Sequence, residues 1–461
     1  MTHMNKQRRL ASAGLTVLLG AGLLAAGQPA VGATPDNDNP VEALERNAQP
    51  LRTTEPDGSV DDLQPFGDMV GEASVVTTGE ATHSSSELVT MQQRMFRYLV
   101  EEKGFRTFAR EISWSTGLLL NEYIQTGEGD PRRIMDREFE VFYQVFDNRE
   151  FLDFVESLRA YNEQQEDEDD KVQIIGTDVA FPGPILFEKV NAYLEDHHPG
   201  LRPVFGALHE GLAPKPGMHL GTYMEKIQNL SVAKRKVMAA KAKAAVTLLK
   251  AHDPGDDSPH KEDFDRALQH ATSIAQVAKS YSFDTTTEEG QAKWGEYRDA
   301  TMADNLEWWQ EHTGHKTMMS TFSAHASYEP IDDGYVPTPL GKVLRERLGD
   351  DHVNVGFTFA RGTANTLMEP DGPYKAHRVA TDGPEHNEHT LDKVKYDDYL
   401  LDMRTAPADA RDWLDSPRKT FAIGGSIDPG DPSAAEFDVA LGKSYDLLVH
   451  LDEVRAAKRL F

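Results

Sequence analysis

The chain lacks cysteine, and it also lacks two common hydrolase signatures. With no cysteine among its 461 residues, disulfide bonds, thiolate metal ligands and a cysteine nucleophile are excluded. No Gly-x-Ser-x-Gly sequence is present, and Gly424-Gly425-Ser426 does not have that spacing, which disfavours a serine nucleophile on a strand-to-helix elbow. No His-Glu-x-x-His sequence is present either. Attack by an activated water is therefore the default chemistry for a hydrolase with this sequence.

Basic residues are few relative to acidic ones. The chain has 48 Lys and Arg against 76 Asp and Glu, which gives a formal net charge of -28. Such a surface repels phosphate backbones and anionic lipids, so nucleic acid and membrane surfaces are disfavoured as partners. The hydrophobic share of 39% and the charged share of 27% are ordinary for a soluble globular protein.

Residues 1–33 are typical of a targeting segment. A basic start precedes a mostly apolar run over residues 10–27, and small residues follow. This pattern favours a cleaved signal peptide, with an uncleaved anchor as the alternative; the paired arginines at the start hint at twin-arginine export. We expect an exported protein without membrane contact after cleavage, a flexible acidic leader over 34–60 and a folded catalytic domain over 61–461.

Short apolar runs that alternate with long helical patterns predict an α/β fold, a central and mostly parallel sheet flanked by helices. Residues 106–112 and 172–178 are predicted strands separated by a long, mainly helical connection, which favours parallel neighbours. Residues 182–285 show no strand pattern and predict a helical insertion that caps the mouth of the sheet, with an unrelated helical bundle as the alternative. Residues 373–393 predict a histidine-rich loop, and 454–460 a closing helix.

One stretch, residues 74–87, places acid and imidazole groups at a strand end. Residues 74–78 favour a half-buried strand, Gly79 breaks the pattern, and Glu80 and His83 follow three residues apart before a helical segment. Loops after the carboxyl ends of strands in α/β sheets bind ligands. Glu80 and His83 are therefore candidates for acid/base catalysis. The alternative is that Glu80 forms a salt bridge and His83 caps the next helix.

Further polar residues follow other predicted strands. Glu111, Asp178 and His325 each stand at a strand end. If these strands are neighbours, two imidazoles and several carboxylates converge on one pocket that is suited to acid/base work on water. The candidates for stabilising an oxyanion are Arg110, Arg298 and Arg361.

The same residue types permit a metal site. Histidine and carboxylate side chains are ligands for zinc and similar ions, so Glu80, His83 and His325 form an alternative metal-binding set. His386 and His389 also lie three apart, but in a polar stretch that favours solvated side chains. Under the activated-water hypothesis no cofactor is expected.

Five motifs, in order along the chain, resemble those of the erythromycin esterase family. Gly79-Glu80-Ala81-Thr82-His83 resembles the signature that opens the family's catalytic domain. The other four are Phe108-Ala109-Arg110-Glu111-x-x-Trp114, Asn148-Arg149-Glu150 with Tyr161-Asn162, Arg298-Asp299-x-x-Met302-Ala303-x-Asn305-x-x-Trp308, and Val355-Gly356-Phe357-Thr358-Phe359. Their order and spacing agree with the family from about residue 60 to the C-terminus.

The resemblance implies an α/β fold with a helical cap and hydrolysis of a small-molecule ester or lactone, which in the best-known members is the lactone of a macrolide. Carried over by position, it implies that His83 is the base that activates water and that Glu80 is its partner. Glu111 would be a second active-site carboxylate. His325 occupies the first histidine of the family's His-Asn-x-His strand end.

The sequence departs from the family pattern at three of these positions. Ser84 stands where glycine is usual, Ala326 replaces the asparagine, and Tyr328 replaces the second histidine. The Tyr328 hydroxyl is a candidate hydrogen-bond donor to an oxyanion. The leading hypothesis is an exported ester hydrolase; the alternatives are a secreted ligand-binding protein on an inactive esterase scaffold and a metal-dependent hydrolase.

Overall fold

The strands of the described chain alternate with helices. The computed structural model describes residues 40–332, 334–367, 374–380, 383–425 and 435–460. The predicted signal peptide and residues 34–39 of the predicted leader lie outside these ranges. In chain order the strands are β1 Ala48–Pro50, β2 Val75–Glu80, β3 Phe105–Ser113, β4 Gln173–Asp178, β5 Lys316–Phe322, β6 His352–Thr366, β7 Lys375–Ala380, β8 Tyr399–Asp402, β9 Arg418–Phe421, β10 Glu436–Val439 and β11 Leu447–Val454.

The helices connect and cover these strands. Gly104 ends the first long helix with φ of 73°, the left-handed conformation expected of a glycine cap. Among the described residues, no helix combines the length and apolarity needed to cross a membrane. In chain order the helices are α1 Pro40–Asn47, α2 Gln64–Val70, α3 Ser86–Lys103, α4 Trp114–Thr126, α5 Pro131–Glu138, α6 Arg149–Asn162, α7 Pro184–His197, α8 Arg202–Leu208, α9 Leu220–Gln228, α10 Val232–Lys250, α11 Lys261–Ser280, α12 Glu288–Thr313, α13 Ser323–Ala326, α14 Leu340–Leu348, α15 Asn387–Leu391, α16 Ala408–Leu414 and α17 Leu441–Ser444.

Nine strands form one sheet in the order β1-β8-β11-β6-β2-β5-β3-β4, with β7 paired to β6. The pairs from β11 through to β4 are parallel, whereas β1 with β8, β8 with β11 and β6 with β7 are antiparallel. Every residue of β2 is buried, as expected for a central strand covered by helices on both faces. The predicted α/β class with a mostly parallel central sheet is therefore confirmed.

The connection between β4 and β5 contains helices and no strand over residues 184–280. Within it, α11 packs against both α7 and α10. The Tyr281 hydroxyl donates to the Ala180 carbonyl at 2.9 Å, and the Trp114 indole nitrogen lies 3.3 Å from Nδ1 of His270. These contacts attach the helical insertion to segments that follow β4 and β3; its role as a cap stays a prediction.

Three local predictions are wrong, and in each case the segment has partners far away in sequence. Residues 40–50 of the predicted flexible leader form α1 and β1, and β1 pairs with β8. The predicted loop over 373–393 contains β7, which pairs with β6, and α15. The predicted closing helix is absent from the described residues 455–460, which form isolated bridges to Ser85 and Asn148.

The parallel register brings several strand ends to one edge of the sheet. Glu80 of β2 lies opposite Phe322 of β5, and Arg110 of β3 lies opposite Ser320. Gly79 allows α13 to approach β2 closely, since a Cβ at Gly79 would lie only 2.7 Å from the Cβ of Ala326. The carboxyl ends of β2, β3 and β5 therefore share one side of the fold, where α/β sheets bind ligands.

Candidate active site

The predicted pair of Glu80 and His83 forms a hydrogen bond at the end of β2. Glu80 is the last residue of the strand and is fully buried. Nδ1 of His83 lies 2.7 Å from Oε1 of Glu80. Because an ionised carboxylate can only accept, Nδ1 carries the proton and Nε2 keeps its lone pair. The pair therefore has the arrangement of a general base and the carboxylate that orients it.

Two aromatic rings fix the plane of the His83 imidazole. Phe146 contacts it edge-on with ring centroids 4.9 Å apart, and the Phe322 centroid lies at 5.1 Å. The imidazole belongs to a residue that is only 7% exposed. Restricted rotation and a low local dielectric both strengthen the Glu80 contact, so His83 is held in one tautomer.

Arg110 of β3 contacts the Glu80 carboxylate. It is buried, its Nη1 donates to Ser320 Oγ at 2.7 Å, and its Nη2 contacts Glu80 Oε1 at 3.4 Å. Its guanidinium also lies 4.2 Å from the ring centroid of Phe146. Arg110 therefore contacts Glu80 and β5 from within the fold, and its binding of substrate stays a prediction.

Two buried oxygen atoms near the end of β2 have no hydrogen-bond partner among the described residues: Oε2 of Glu80 and Oγ of Ser323. Ser323 follows Phe322, the residue opposite Glu80 in the sheet. Buried polar atoms are normally hydrogen-bonded, to protein or to water. These two atoms are candidates to bind a water molecule or a polar group of a ligand.

A second network is organised around the buried guanidinium of Arg298 on α12. Its Nε and Nη2 donate to Asp178 at 2.9 and 2.6 Å. Nη2 also donates to Glu111 Oε1 at 2.6 Å, and Nη1 lies 2.7 Å from Nε2 of His325. Each guanidinium nitrogen therefore already has a partner. Its positive charge lies within the network, and contact of Arg298 with substrate stays a prediction.

Glu111 is held as a carboxylate by its surroundings. Burial alone would raise its pKa, but the charge of Arg298, together with the charges that His325 and His83 carry when protonated, outweighs burial and holds the pKa well below its usual range. Its Oε2 also accepts hydrogen bonds from Thr321 Oγ1 at 2.7 Å and from the backbone N–H of Phe322 at 3.0 Å. Glu111 thus joins β3 to the end of β5.

His325 lies on α13, one turn beyond β5, and not at the strand end as predicted. Its Nδ1 contacts both carboxylate oxygens of Asp299, at 2.8 and 3.0 Å, and its Nε2 lies 3.6 Å from Glu111 Oε1. Burial lowers the pKa of His325, but the carboxylates of Asp299 and Glu111 prevail and raise it. In the neutral form Nε2 accepts from Arg298, so protonation of His325 would break that hydrogen bond.

Three residues of this network were not predicted as site residues. Asp299 accepts from the backbone N–H of Leu340 at 2.8 Å as well as facing His325; its position directly after Arg298 was the available signal. The Tyr143 hydroxyl donates to Asp178 at 2.7 Å. Burial raises the pKa of Tyr335 to about 12, and its electrostatic interaction with Arg298 opposes that rise. Neither tyrosine stands in a periodic pattern that would have identified it.

Two predicted oxyanion donors lie elsewhere. The Tyr328 hydroxyl donates to Asp446 at 2.5 Å and also contacts Arg345, while its ring lies 5.8 Å from that of His352 at the start of β6. That is the opposite end of the sheet from Glu80. Arg361 is exposed and pairs with Asp452 at 2.6 Å. Each side chain thus pairs with a carboxylate away from the Glu80–His83 pair, and an oxyanion contact by either residue stays a prediction.

The alternative metal set does not converge. The His325 nitrogens face Asp299 and the Arg298 guanidinium, and a guanidinium repels a cation. Nδ1 of His83 already faces Glu80. Glu80, His83 and His325 are therefore engaged in hydrogen bonds that orient imidazoles, and not in a cage that surrounds an ion.

Asp178, predicted at the end of β4, joins the network through Arg298 and Tyr143.

Ser84, which replaces the usual glycine, does not need a left-handed backbone, since Val141 is the one non-glycine residue with positive φ in the described chain. The Ser84 carbonyl instead accepts from the backbone of Asn365 and Ala457. The departure at Ser84 is thus compatible with the loop that carries His83.

Comparisons with known proteins identify the family of the chain. A family model described as Erythromycin esterase matches residues 100–454, a range that includes Glu111, Arg298 and His325 and begins after Glu80 and His83. Erythromycin esterase type II of Escherichia coli is 24% identical over 364 residues, which cover 75% of this chain and 83% of that protein.

Solved structures share the fold. A Bacillus cereus protein superposes with a TM-score of 0.82 at 28% identity, covering 93% of this chain and 100% of that one. A succinoglycan biosynthesis protein gives a TM-score of 0.79, again at 28% identity over 93% and 100% of the two chains. A mutant of the erythromycin esterase EreC in its open conformation gives 0.67 at 16% identity, over 90% and 99%; at that identity the likeness shows the fold alone. Because the family model spans most of the sequence, the chain belongs to the erythromycin esterase family.

Proposed function

We propose that this protein is a hydrolase that cleaves a carboxylic ester or a lactone with a water molecule activated by His83. The observation that carries the proposal is the 2.7 Å contact between His83 Nδ1 and the buried Glu80 carboxylate, which leaves Nε2 as the basic atom. Family membership supports a hydrolase. The name of the Escherichia coli relative makes a macrolide lactone one candidate substrate.

In this proposal His83 alone takes up and returns the proton that the reaction moves. Nε2 takes one proton from the water as its oxygen attacks the carbonyl carbon, and a tetrahedral oxyanion forms. The carbonyl then re-forms, the bond to the alkoxy oxygen breaks, and Nε2 returns the proton to that leaving oxygen. Throughout, Glu80 accepts from Nδ1–H and stabilises the imidazolium, as expected for a buried carboxylate beside a catalytic histidine.

The Arg298 network contributes a fixed electrostatic field in this proposal. The ring of Phe322 contacts both His83, at 5.1 Å, and His325, at 6.5 Å between centroids, so the two imidazoles flank one side chain. Glu111 connects the network to the backbone of Phe322. A network fixed before substrate arrives needs little reorganisation during the reaction.

We also propose that the protein is exported, on the basis of the basic and apolar pattern of residues 1–33. The check is to express the full chain and determine the N-terminal sequence of the protein recovered outside the cytoplasm. A mature chain that begins near residue 34 supports export with cleavage, whereas an intact N-terminus retained in the membrane supports the anchor.

The proposed activity is tested with a panel of macrolide lactones, smaller lactones and simple esters, each with and without a chelator. We expect release of a carboxylic acid from at least one compound at a rate that the chelator does not change. Saturable binding without turnover of any compound would instead favour a ligand-binding protein on this scaffold. Turnover that is lost with the chelator would favour a metal-dependent hydrolase.

A further inference from the structure

The helical insertion carries a cluster of histidine and aspartate side chains where α7 ends and α11 begins. His197 is the last residue of α7, and His260 directly precedes α11. Asp263 lies in the first turn of α11, three residues after His260. Since residues three apart at a helix start share one face, His260 and Asp263 both point toward the end of α7.

The three side chains converge as metal ligands do. One ligand atom from each of His197, His260 and Asp263 lies within 4.8 Å of the other two. The imidazole centroids of His197 and His260 are 4.6 Å apart. In a tetrahedral zinc site with bonds of about 2.0–2.2 Å, ligand atoms stand roughly 3.4 Å from one another. Small rotations of these half-buried and exposed side chains are enough to reach that spacing.

A second histidine pair lies beside the first. The rings of His198 and His252 are 5.2 Å apart, and the Tyr193 ring packs against His197 at 4.7 Å. The imidazoles of His197, His198, His252 and His260 therefore lie together around the Tyr193 ring at this end of the insertion. Neutral imidazole is the form that binds metal ions.

The acidity of the chain favours a cation. Its formal net charge is -28, and Asp263 adds a carboxylate to the cluster itself. An arriving divalent cation is therefore attracted before it is coordinated.

We propose that His197, His260 and Asp263 bind a divalent transition-metal ion of the zinc type, with water at the remaining position. Two imidazoles and one carboxylate suit zinc, nickel or copper and do not suit magnesium or calcium, which prefer oxygen ligands. The bound ion joins the end of α7 to the start of α11 and closes the intervening segment, α8 to α10, into a loop. Its role is to fix the insertion, and its residues are separate from the Glu80–His83 pair.

The test uses the full chain purified without a polyhistidine tag and stripped of metal. Zinc titration in competition with a chromophoric chelator should show one ion per chain at micromolar or lower dissociation constant. His260→Ala and Asp263→Asn should each weaken that binding by at least tenfold, since each removes one of three ligands. His219→Ala is the matched control, because His219 lies in the same insertion but pairs with Glu140 at 2.9 Å, and it should bind zinc as the unmodified protein does.

Titration with cobalt reports the geometry, since a tetrahedral complex gives a strong visible absorption that His260→Ala should abolish. Equal zinc affinity in His260→Ala, Asp263→Asn and the unmodified protein would overturn the proposal. So would the lack of saturable zinc uptake at micromolar concentration by the unmodified protein.

Discussion

Replacement of Arg298 by methionine tests whether the buried network stabilises the fold in the way its geometry indicates. The guanidinium makes four contacts of 2.6–2.9 Å, to Asp178, Glu111 and His325. Arg298→Met keeps an unbranched apolar stem but leaves two buried carboxylates without their counter-charge. Removing one partner of a buried ion pair costs about 3–5 kcal/mol, a large part of a typical unfolding free energy of about 5–15 kcal/mol.

The pKa of Glu111 predicts how the stability difference between Arg298→Met and the unmodified protein changes with pH. In the unmodified protein the pKa of Glu111 is lowered, so its contribution to stability is present above its unfolded pKa of about 4.3 and is lost as pH falls through the folded pKa. Without Arg298, burial acts with less opposition and raises the Glu111 pKa, so ionisation at neutral pH opposes folding. The stability difference between Arg298→Met and the unmodified protein should therefore be larger at pH 8 than at pH 4.

Urea unfolding of both proteins at the two pH values measures this difference. Arg347→Met is the matched control: Arg347 also pairs with two carboxylates, Asp304 and Glu307, but its side chain is 38% exposed. We expect it to lose only about 0–1 kcal/mol. A loss below 1 kcal/mol in Arg298→Met, or one that does not change with pH, would refute this reasoning.

Three further changes probe single contacts. Gly79→Ala places a Cβ 2.7 Å from that of Ala326, so it should lower the melting temperature, with a cost of about 1–3 kcal/mol, whereas Gly200→Ala, with nothing within 4 Å, should not. Glu80→Gln removes a charge-assisted hydrogen bond to His83 that is worth about 1.5–3 kcal/mol. We therefore expect kcat to fall about ten- to hundred-fold while KM changes little. An unchanged kcat would contradict the role of Glu80. Tyr328→Phe should leave kcat within about twofold, because its hydroxyl bonds to Asp446 and not to a reacting group; a collapse of kcat would contradict that placement.

The central elements of the fold were predictable because their signals are local. Buried runs of residues form β2, β3 and β4. Glu80 ends β2, Asp178 ends β4, and Glu111 lies near the end of β3. The glycine at Gly104 ends α3. Parallel strands place such ends at one edge of the sheet. The sequence therefore identified most of the side chains that meet in the site.

The errors arise where long-range packing decides the partner. Tyr328 and Arg361 pair with Asp446 and Asp452, contacts that residue type and position in the sequence do not reveal. Residues 455–460 have helix-forming side chains, yet bridges to Ser85 and Asn148 hold them extended. Tertiary contacts override local propensity in such segments.

The sequence alone also could not predict that the guanidinium groups of Arg110 and Arg298 form buried contacts. An arginine near a strand end is equally compatible with an oxyanion contact and with a buried ion pair. Only the packed structure shows that both guanidinium groups bind carboxylates, in Glu80 and in Asp178 with Glu111. Those contacts are compatible with a role for both arginines in positioning acid/base groups.

The most direct test of the account compares kcat of the unmodified protein and of His83→Ala on one hydrolysed ester, each with and without added imidazole. We predict a fall of about a hundred- to ten-thousand-fold, and partial recovery when imidazole occupies the space next to Glu80. His389→Ala, in α15 and outside the Glu80–His83 pair, should keep full activity. Unchanged turnover by a folded His83→Ala protein would contradict the claim that His83 activates water.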